Sequence, residues 1–248
     1  MLISASTECW PGKSLPETIE ILYDLDFAAI EIALHEDGNV KPSELLQDPD
    51  RAAQWLRHGH RLDIVGYSVK LGSTGDQHYA DFAEICKIAK ATKVVTLIVP
   101  SAELGTPFNE EVEHLQKLVD IAAVEGARVG VRTELGCLSE DPDTLMVLCN
   151  NVDGLGITLD PSVYIAGPAK SKSLDRILKF VYHVHLRDTK PDKFQVSVGQ
   201  GEVDYAKLIS QLEREKYDRA LSIHMSPMEG LDHRVELRKL RRLLETLL

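Results

Sequence analysis

Short apolar runs alternate with longer segments of helical periodicity along the whole chain, and this alternation constrains the fold more than any other feature. Strands that alternate with helices favour a parallel sheet, because consecutive parallel strands need a long crossover connection. Eight such units in 248 residues match the ~250 residues of a closed barrel in which each strand is followed by a helix. We therefore predict an α/β fold, a (β/α)8 TIM barrel that forms a single domain over residues 1–248.

The predicted elements follow from the spacing of apolar residues, which alternate in strands and recur every three or four residues in helices. Strands are predicted at residues 2–6, 28–34, 62–69, 94–99, 127–134, 154–160, 180–185 and 220–225. Helices are predicted at residues 15–25, 52–58, 78–91, 109–125, 142–149, 174–178, 205–215 and 235–247. No linker-like segment rich in Gly, Pro or Ser divides the chain.

The charge balance argues against a polyanionic partner. The chain has 28 Lys and Arg against 39 Asp and Glu, a formal net charge of −11, whereas contacts to phosphates need clustered basic side chains. We therefore expect no nucleic acid partner. The sequence shows no secretory signal and no run of about 18 apolar residues, so we also expect no membrane association and a cytoplasmic location.

The cysteines give little functional information. The four of them form no CxxC pair, so reduced thiols are expected. Cys137 lies three residues after Glu134, and a nucleophilic role for its thiol remains an alternative at this point.

Four side chains of metal-binding type stand at or near the ends of the last four predicted strands. Residues at equivalent ends of neighbouring strands in a parallel barrel converge on one face, where active sites of this architecture are built. Successive strand residues point to opposite sides of the sheet, and these four share their side with small and polar residues. We predict that they hold one divalent ion at the mouth of the barrel; they are Glu134, Asp160, His185 and His224.

Other polar side chains near strand ends are candidates for substrate contact. Arg187 lies two residues beyond one predicted ligand and could clamp a carboxylate or phosphate, or neutralise an oxyanion. Arg132 lies two residues before another, and because a buried Arg needs an anion we expect Glu31 as its structural partner. Tyr67 and Tyr164 either line the pocket or offer hydroxyls to a polyol. Substrate-binding roles are thus predicted for Arg187, Tyr67, Tyr164 and Arg132.

Several strand-end motifs resemble one known family. They are TEL at 133–135, TLDPS at 158–162, VHLRD at 184–188 and GQGEVDY at 199–205, with IEIALHEDG at 30–38. Together they resemble the xylose isomerase-like TIM-barrel superfamily, which includes sugar phosphate isomerases and epimerases as well as endonuclease IV-type enzymes. The likeness extends over nearly the whole chain and is strongest between residues 130 and 226.

The resemblance implies one divalent ion held by a Glu, an Asp, a His and a second Glu on the last four strands. Three of these positions map onto Glu134, Asp160 and His185, whereas the fourth is His224, so the chain departs from the pattern there. In epimerases of the family the two glutamates also form the acid–base pair on opposite faces of the substrate. Only one member of that pair is present in this chain.

This departure bears on both the metal and the mechanism. An imidazole in place of a carboxylate makes the site softer, so Zn, Mn, Fe, Co or Ni is favoured over Mg. By resemblance, the reaction is isomerisation or epimerisation of a small sugar, sugar phosphate or polyol through proton abstraction and a metal-stabilised enediolate, with a related lyase reaction as a variant. Glu134 is the candidate catalytic base, and His224 is the candidate for returning the proton.

A second interpretation follows from the same departure. A barrel that keeps the pocket but lacks the second acid–base Glu would be a catalytically reduced sugar-binding or regulatory protein. A DNA-repair endonuclease would need more His and Glu ligands for a zinc cluster and a basic groove, and the sequence has neither. Members of this group often pair, and the apolar side of the last predicted helix permits a homodimer.

Overall fold

The computed structural model describes residues 1–57, 61–170 and 172–248. Within these residues eight parallel strands close into a barrel, each paired with the next along the chain and the last paired with the first. The predicted (β/α)8 TIM barrel is confirmed. The strands are β1 (Leu2–Ser6), β2 (Ala29–His35), β3 (Asp63–Lys70), β4 (Thr96–Val99), β5 (Arg128–Arg132), β6 (Gly156–Leu159), β7 (Val181–Leu186) and β8 (Ala220–Ile223).

Helices fill the connections between the strands. In the described residues they are α1 (Leu15–Asp24), α2 (Pro42–Leu45), α3 (Pro49–Arg57), α4 (Gly75–Ala91), α5 (Phe108–Val124), α6 (Pro142–Asn151), α7 (Ser162–Ala166), α8 (Tyr205–Arg214) and α9 (His233–Glu245). Short 3-10 helices occur at Thr7–Cys9, Leu138–Glu140 and Leu178–Phe180. Across the described ranges, no helix is both long and apolar enough to cross a membrane.

The connection between β6 and β7 differs from its prediction. The helix predicted at residues 174–178 is wrong: the structure has α7 directly after β6, then turns, and a 3-10 helix directly before β7. Residues 175–177 form a turn, and helical hydrogen bonding of the 3-10 type begins only at Leu178. Residue 58, the predicted end of the helix that follows β2, lies outside the described residues.

Helix starts are well specified by the sequence. Ser14 and Glu17 form a reciprocal capping box at the start of α1, and Asp141 caps α6 by accepting from two backbone amides. Asp204 caps α8 by accepting from the Lys207 amide. Each such cap contributes about 1 kcal/mol. Together the caps fix the residue at which each of these loops ends and its helix begins.

The two sides of the barrel wall differ sharply in chemistry. Alternating aliphatic residues on the strands belong to the apolar core between barrel and helices; examples are Ile30, Ile32, Leu97, Val129, Val131, Ile157, Leu159, Val184, Leu221 and Ile223. The intervening residues are polar although they are fully or almost fully buried; they are Ser4, Ser6, Glu31, Thr158, His183, His185 and Ser222. Each buried aliphatic side chain contributes roughly 1.5–3 kcal/mol, so the outer layer stabilises the fold. The polar interior therefore requires a hydrogen-bonded or functional explanation.

The loop that follows β7 is tied to the barrel by one carboxylate. Asp188 Oδ2 accepts from the amides of Gly199 at 2.8 Å and Gly201 at 3.0 Å, and Asp188 Oδ1 accepts from the Thr189 amide at 3.1 Å. A Cβ at residue 201 would overlap the Asp188 carboxylate. The GQGE motif is thus explained by the close approach of backbone amides to a buried carboxylate.

Substitution Gly201→Ala is expected to destabilise the protein. The added methyl group displaces Asp188 or the loop, and overpacking of this kind costs about 1–3 kcal/mol. Thermal or urea unfolding measures the effect. The exposed neighbour Glu202 supplies the matched control, Glu202→Ala, which should unfold like the wild type; equal stability of both variants would show that the amide–carboxylate contact does not hold the loop.

Candidate functional site

A cavity of about 340 Å³ lies between the carboxyl-terminal ends of β5 to β8 and the segment that follows β1. Ligand pockets usually measure about 300–1,000 Å³, so this volume suits a small molecule. The cavity is lined by Glu8, Arg132, Thr133, Glu134, Leu135, Asp160, Val163, His185, Arg187, Phe194 and His224. The structure therefore brings all four predicted ligands and both predicted arginines to one place.

A second, smaller cavity of about 160 Å³ adjoins the first. The two share Glu8 and Arg132 among their lining residues, and the smaller one adds His35, Asp37 and Lys70. The mouth of the barrel is thus a cleft that continues from β5–β8 across to β2 and β3, with Glu8 and Arg132 between its two parts.

Below the mouth, one carboxylate holds two histidines inside the barrel. Glu31 Oε2 on β2 lies 2.7 Å from His183 Nε2 and 2.8 Å from His185 Nε2, both on β7. Burial alone raises the pKa of Glu31, but the two imidazoles outweigh it and bring that pKa well below its ordinary value. Burial lowers the pKa of His183 and of His185, so both rings are neutral beside a carboxylate.

This arrangement fixes the tautomer of His185. A carboxylate can only accept hydrogen bonds, so the Nε2 atoms of His183 and His185 must carry protons that they donate to Glu31. In a neutral ring the other nitrogen, Nδ1, then bears a lone pair. His185 Nδ1 is buried and has no hydrogen-bond partner among the described residues. An oriented imidazole with a bare Nδ1 is the form in which histidine binds metals.

The close donor cluster in this structure differs from the predicted one. Within the described part of the chain, Glu31, His183 and His185 are the residues whose donor atoms lie within 4.8 Å of one another, which is close enough to hold a metal ion. Of the four predicted ligands only His185 belongs to this cluster. The other three line the same cavity as His185 but do not gather with it into a compact set.

Two guanidinium groups account for the separation of the predicted ligands. Arg187 donates to Asp160 Oδ2 through Nε at 3.0 Å and lies 2.9 Å from it through Nη2, and the same Nη2 contacts His224 Nδ1. Arg132 Nη2 donates to Glu134 Oε1. Each guanidinium thus pairs with the carboxylate of a predicted ligand, and Arg187 connects two predicted ligands.

Glu8, which follows β1, completes the network at the mouth. Its Oε2 contacts His224 Nε2 and lies 3.8 Å from Arg132 Nη1, and its Oε1 lies 3.2 Å from His35 Nε2. Burial raises the pKa of Glu8, but the contacts of His224 and His35 together with the charge on Arg132 outweigh it, so the net pKa is far below its ordinary value. Glu8 is therefore an ionised carboxylate at neutral pH.

The structure places both predicted tyrosines away from the cavity. The Tyr67 hydroxyl donates to Thr92 Oγ1 at 2.8 Å, at the end of α4, and its side chain is fully buried in the helical layer. The Tyr164 hydroxyl donates to the Ser139 carbonyl at 2.8 Å. The reason is strand alternation: a bulge in β3 next to Glu31 turns Tyr67 outward. Neither hydroxyl reaches the lining of the mouth.

The contacts also show the partners of Arg132 and Glu31. Glu31, expected as the partner of Arg132, instead accepts from the two histidines, while Arg132 pairs with Glu134 and approaches Glu8.

Burial raises the pKa of Cys137 to about 11, so its thiol is protonated at neutral pH and is not an activated nucleophile.

Sequence reasoning undervalued Glu8 and Glu31. Glu31 is a charged residue within an otherwise apolar strand, the segment AIEIALH, and such a residue must find a buried partner. Glu8 stands two residues past the end of β1, the same kind of position as the predicted ligands. Both signals are visible in the sequence, but their partners lie on strands far away along the chain.

The family of the chain is settled by a match over most of its length. The family model of the xylose isomerase-like TIM barrel matches residues 19–246. The chain belongs to the xylose isomerase-like TIM barrel family. A comparison with curated protein sequences found no match.

Several solved structures share the fold. A D-tagatose 3-epimerase-like protein is 18% identical with a TM-score of 0.76, and the match covers 100% of this chain and 98% of that one. D-Psicose 3-epimerase from Clostridium cellulolyticum H10, solved with D-tagatose, is 14% identical with a TM-score of 0.76, over 100% and 99% of the chains. IOLI protein with a bound zinc atom is 17% identical with a TM-score of 0.74, over 100% and 98%.

Proposed function

We propose that this protein is a divalent-metal-dependent isomerase or epimerase of a small sugar or polyol. The observation that carries the proposal is the bare, buried Nδ1 of His185 on a cavity that Glu134, Asp160 and His224 also line. The epimerases among its structural neighbours, one of them solved with a ketohexose, support the choice of substrate class.

The charges around the cavity favour a dication. Four carboxylates, those of Glu8, Glu31, Glu134 and Asp160, face two guanidiniums, those of Arg132 and Arg187. His183 and His185 are neutral, so the four carboxylates exceed the two guanidiniums by two negative charges, and the carboxylates of Glu31 and Asp160 are buried. Because buried charges need partners, a divalent cation would complete the balance.

The chain's own residues fit the ion and the chemistry. His185 through Nδ1, Asp160, Glu134 and His224 would hold the ion, and the two imidazoles favour Zn, Mn, Fe, Co or Ni over Mg. When bound, such an ion polarises a substrate carbonyl and acidifies the neighbouring C–H bond. A Glu134 oxygen that the ion leaves free would take that proton. The proton is returned by Glu134 itself or, as the sequence suggested, by His224.

A second candidate function is favoured by one observation. Asp160, Glu134 and His224 are all engaged by guanidiniums, as they would be in a barrel that binds a sugar without turning it over. The distinction between the two candidates lies in whether a proton leaves the substrate.

The experiment is solvent-deuterium exchange with the purified protein loaded with Zn²⁺, Mn²⁺ or Co²⁺. We expect deuterium from D2O to enter one carbon-bound position of an aldose, ketose or sugar phosphate, detected by mass spectrometry. Exchange should disappear when a chelator removes the ion and return when the ion is restored. Absence of exchange with every sugar tested, in metal-loaded protein, would favour the binding function and contradict the proposed one.

A further inference from the structure

The smaller cavity at the mouth contains two opposite charges that do not pair. Lys70 is the last residue of β3, Asp37 lies in the turn that follows β2, and both line this cavity of about 160 Å³. The two strands are neighbours, with His35 beside Lys70. His35 lies 3.2 Å from Glu8, whereas the side chains of Asp37 and Lys70 make no ion pair or hydrogen bond within residues 1–57, 61–170 and 172–248.

The remaining charges of the smaller cavity are compensated. Arg132 pairs with Glu134 and approaches Glu8. Apart from one imidazole, the charged groups of the lining are the carboxylates of Glu8 and Asp37 and the cationic groups of Arg132 and Lys70. The cavity therefore has no surplus of positive charge for a phosphate or carboxylate, and Asp37 would repel either of them.

Hydroxyl groups satisfy both of the unpaired charges at once. An ammonium group only donates hydrogen bonds and an ionised carboxylate only accepts them, whereas a hydroxyl does both. Adjacent hydroxyls of a sugar can thus accept from Lys70 and donate to Asp37. An ionised phosphate has only acceptor oxygens for Lys70 and nothing to donate to Asp37. The Ser68 hydroxyl lines the same cavity and offers a further partner to a hydroxyl.

We propose that Asp37 and Lys70 form a specificity subsite for a neutral, hydroxyl-bearing end of the substrate, so that the protein selects free sugars or polyols over their terminal phosphate esters. The two cavities share Glu8 and Arg132 in their linings, so one substrate can extend from the larger into the smaller. This inference rests on the proposed function for its substrate class. It holds equally for a sugar-binding protein, because it concerns binding and not proton transfer.

The first part of the test compares free ketoses with their terminal phosphate esters. D-Tagatose, D-fructose, D-ribulose and D-xylulose, and the corresponding esters, are titrated into the Zn²⁺-loaded protein in a calorimeter. We expect at least one free ketose to bind, and to bind about tenfold or more tightly than its ester, because Asp37 repels the phosphate. Binding of no free ketose, or tighter binding of the esters, overturns the proposal.

The second part assigns the selectivity to Asp37 and Lys70. Loss of one hydrogen bond to a charged side chain should weaken binding of the free ketose about tenfold in Asp37→Asn and in Lys70→Met. Asp37→Asn should also bring the affinities for the free ketose and its ester closer together, since the repelling charge is removed. Wild-type affinity for the free ketose in either variant, or an unchanged affinity ratio in Asp37→Asn, overturns the proposal.

The matched controls are Asp192→Asn and Lys193→Met. Both residues are exposed in the loop that follows β7 and lie outside the lining of either cavity. Each control makes the same chemical change as its counterpart and should bind the ketoses like the wild type. Equal losses in a control and its counterpart would assign the effect to the overall charge of the protein and contradict a local subsite.

The outcomes separate this inference from the proposed function. Selective binding of a free ketose without deuterium exchange leaves the subsite in place and contradicts the isomerase. Deuterium exchange into a phosphate ester as readily as into its free ketose supports the isomerase and overturns the subsite. Asp37 and Lys70 are exposed, so both variants should fold, and circular dichroism checks this.

Discussion

Replacing Glu134 by Gln is expected to lower solvent-deuterium exchange about 10²–10⁴-fold, the contribution usual for a general base, while the protein keeps its metal. The amide cannot accept a proton from carbon, but its oxygen still serves as a ligand, and Arg132 retains its approach to Glu8. Exchange is measured by mass spectrometry and bound metal by elemental analysis of the same samples.

The control for Glu134→Gln is Glu103→Gln. Glu103 is exposed in the loop after β4, so this variant makes the same chemical change near the mouth without touching the cavity lining. It should exchange like the wild type. Unchanged exchange in Glu134→Gln would remove Glu134 as the base, and loss of the metal together with exchange would assign it to the ion rather than to proton transfer.

Replacing Arg187 by Met is expected to change metal binding and turnover in opposite directions. Its guanidinium repels a cation and occupies Asp160 and His224, so its removal should raise the affinity for Zn²⁺ by at least about tenfold. Without the donor for developing oxyanion charge, exchange should fall about 10²–10³-fold. Metal-free Arg187→Met should unfold at a lower temperature, because Asp160 loses its partner, and zinc should restore stability.

Arg128→Met provides the comparison for Arg187→Met. Arg128 begins β5 at the other end of the barrel, where it donates to Thr96 Oγ1 and packs over the Tyr182 ring. It carries the same charge and is also partly buried, but it is remote from the mouth. Zinc affinity should be unchanged in this variant. If Arg187→Met binds zinc no better than Arg128→Met, then Asp160 and His224 are not ligands of the ion.

Much of the site could be predicted because barrel topology converts chain order into proximity. Glu134, Asp160, His185 and His224 follow four consecutive strands, so parallel pairing alone brings them to one rim, and the cavity lining contains all four. Strand alternation also separated inward polar residues from outward aliphatic ones. Tyr67 lies in the helical layer, where its hydroxyl donates to Thr92, and a register shift occurs earlier in β3.

What could not be predicted is which charges pair across the barrel. Arg132 has three acidic residues within reach of its long side chain, and the choice of Glu134 depends on distances that strand order does not specify. The contact of Glu8 with His224 joins residues 216 positions apart. Such pairs arise only when the barrel closes, since β1 meets β8 at the final seam.

The sequence by itself determined the barrel, the rim on which the acids and imidazoles gather, and the family, because these depend on hydrophobic periodicity and on motifs at strand ends. Only the tertiary structure decided the state of each ring: Glu31 behind His185, Glu8 behind His224, and Arg187 between Asp160 and His224. The physical reason is that a hydrogen bond depends on tenths of an ångström and on direction, and strand order specifies neither.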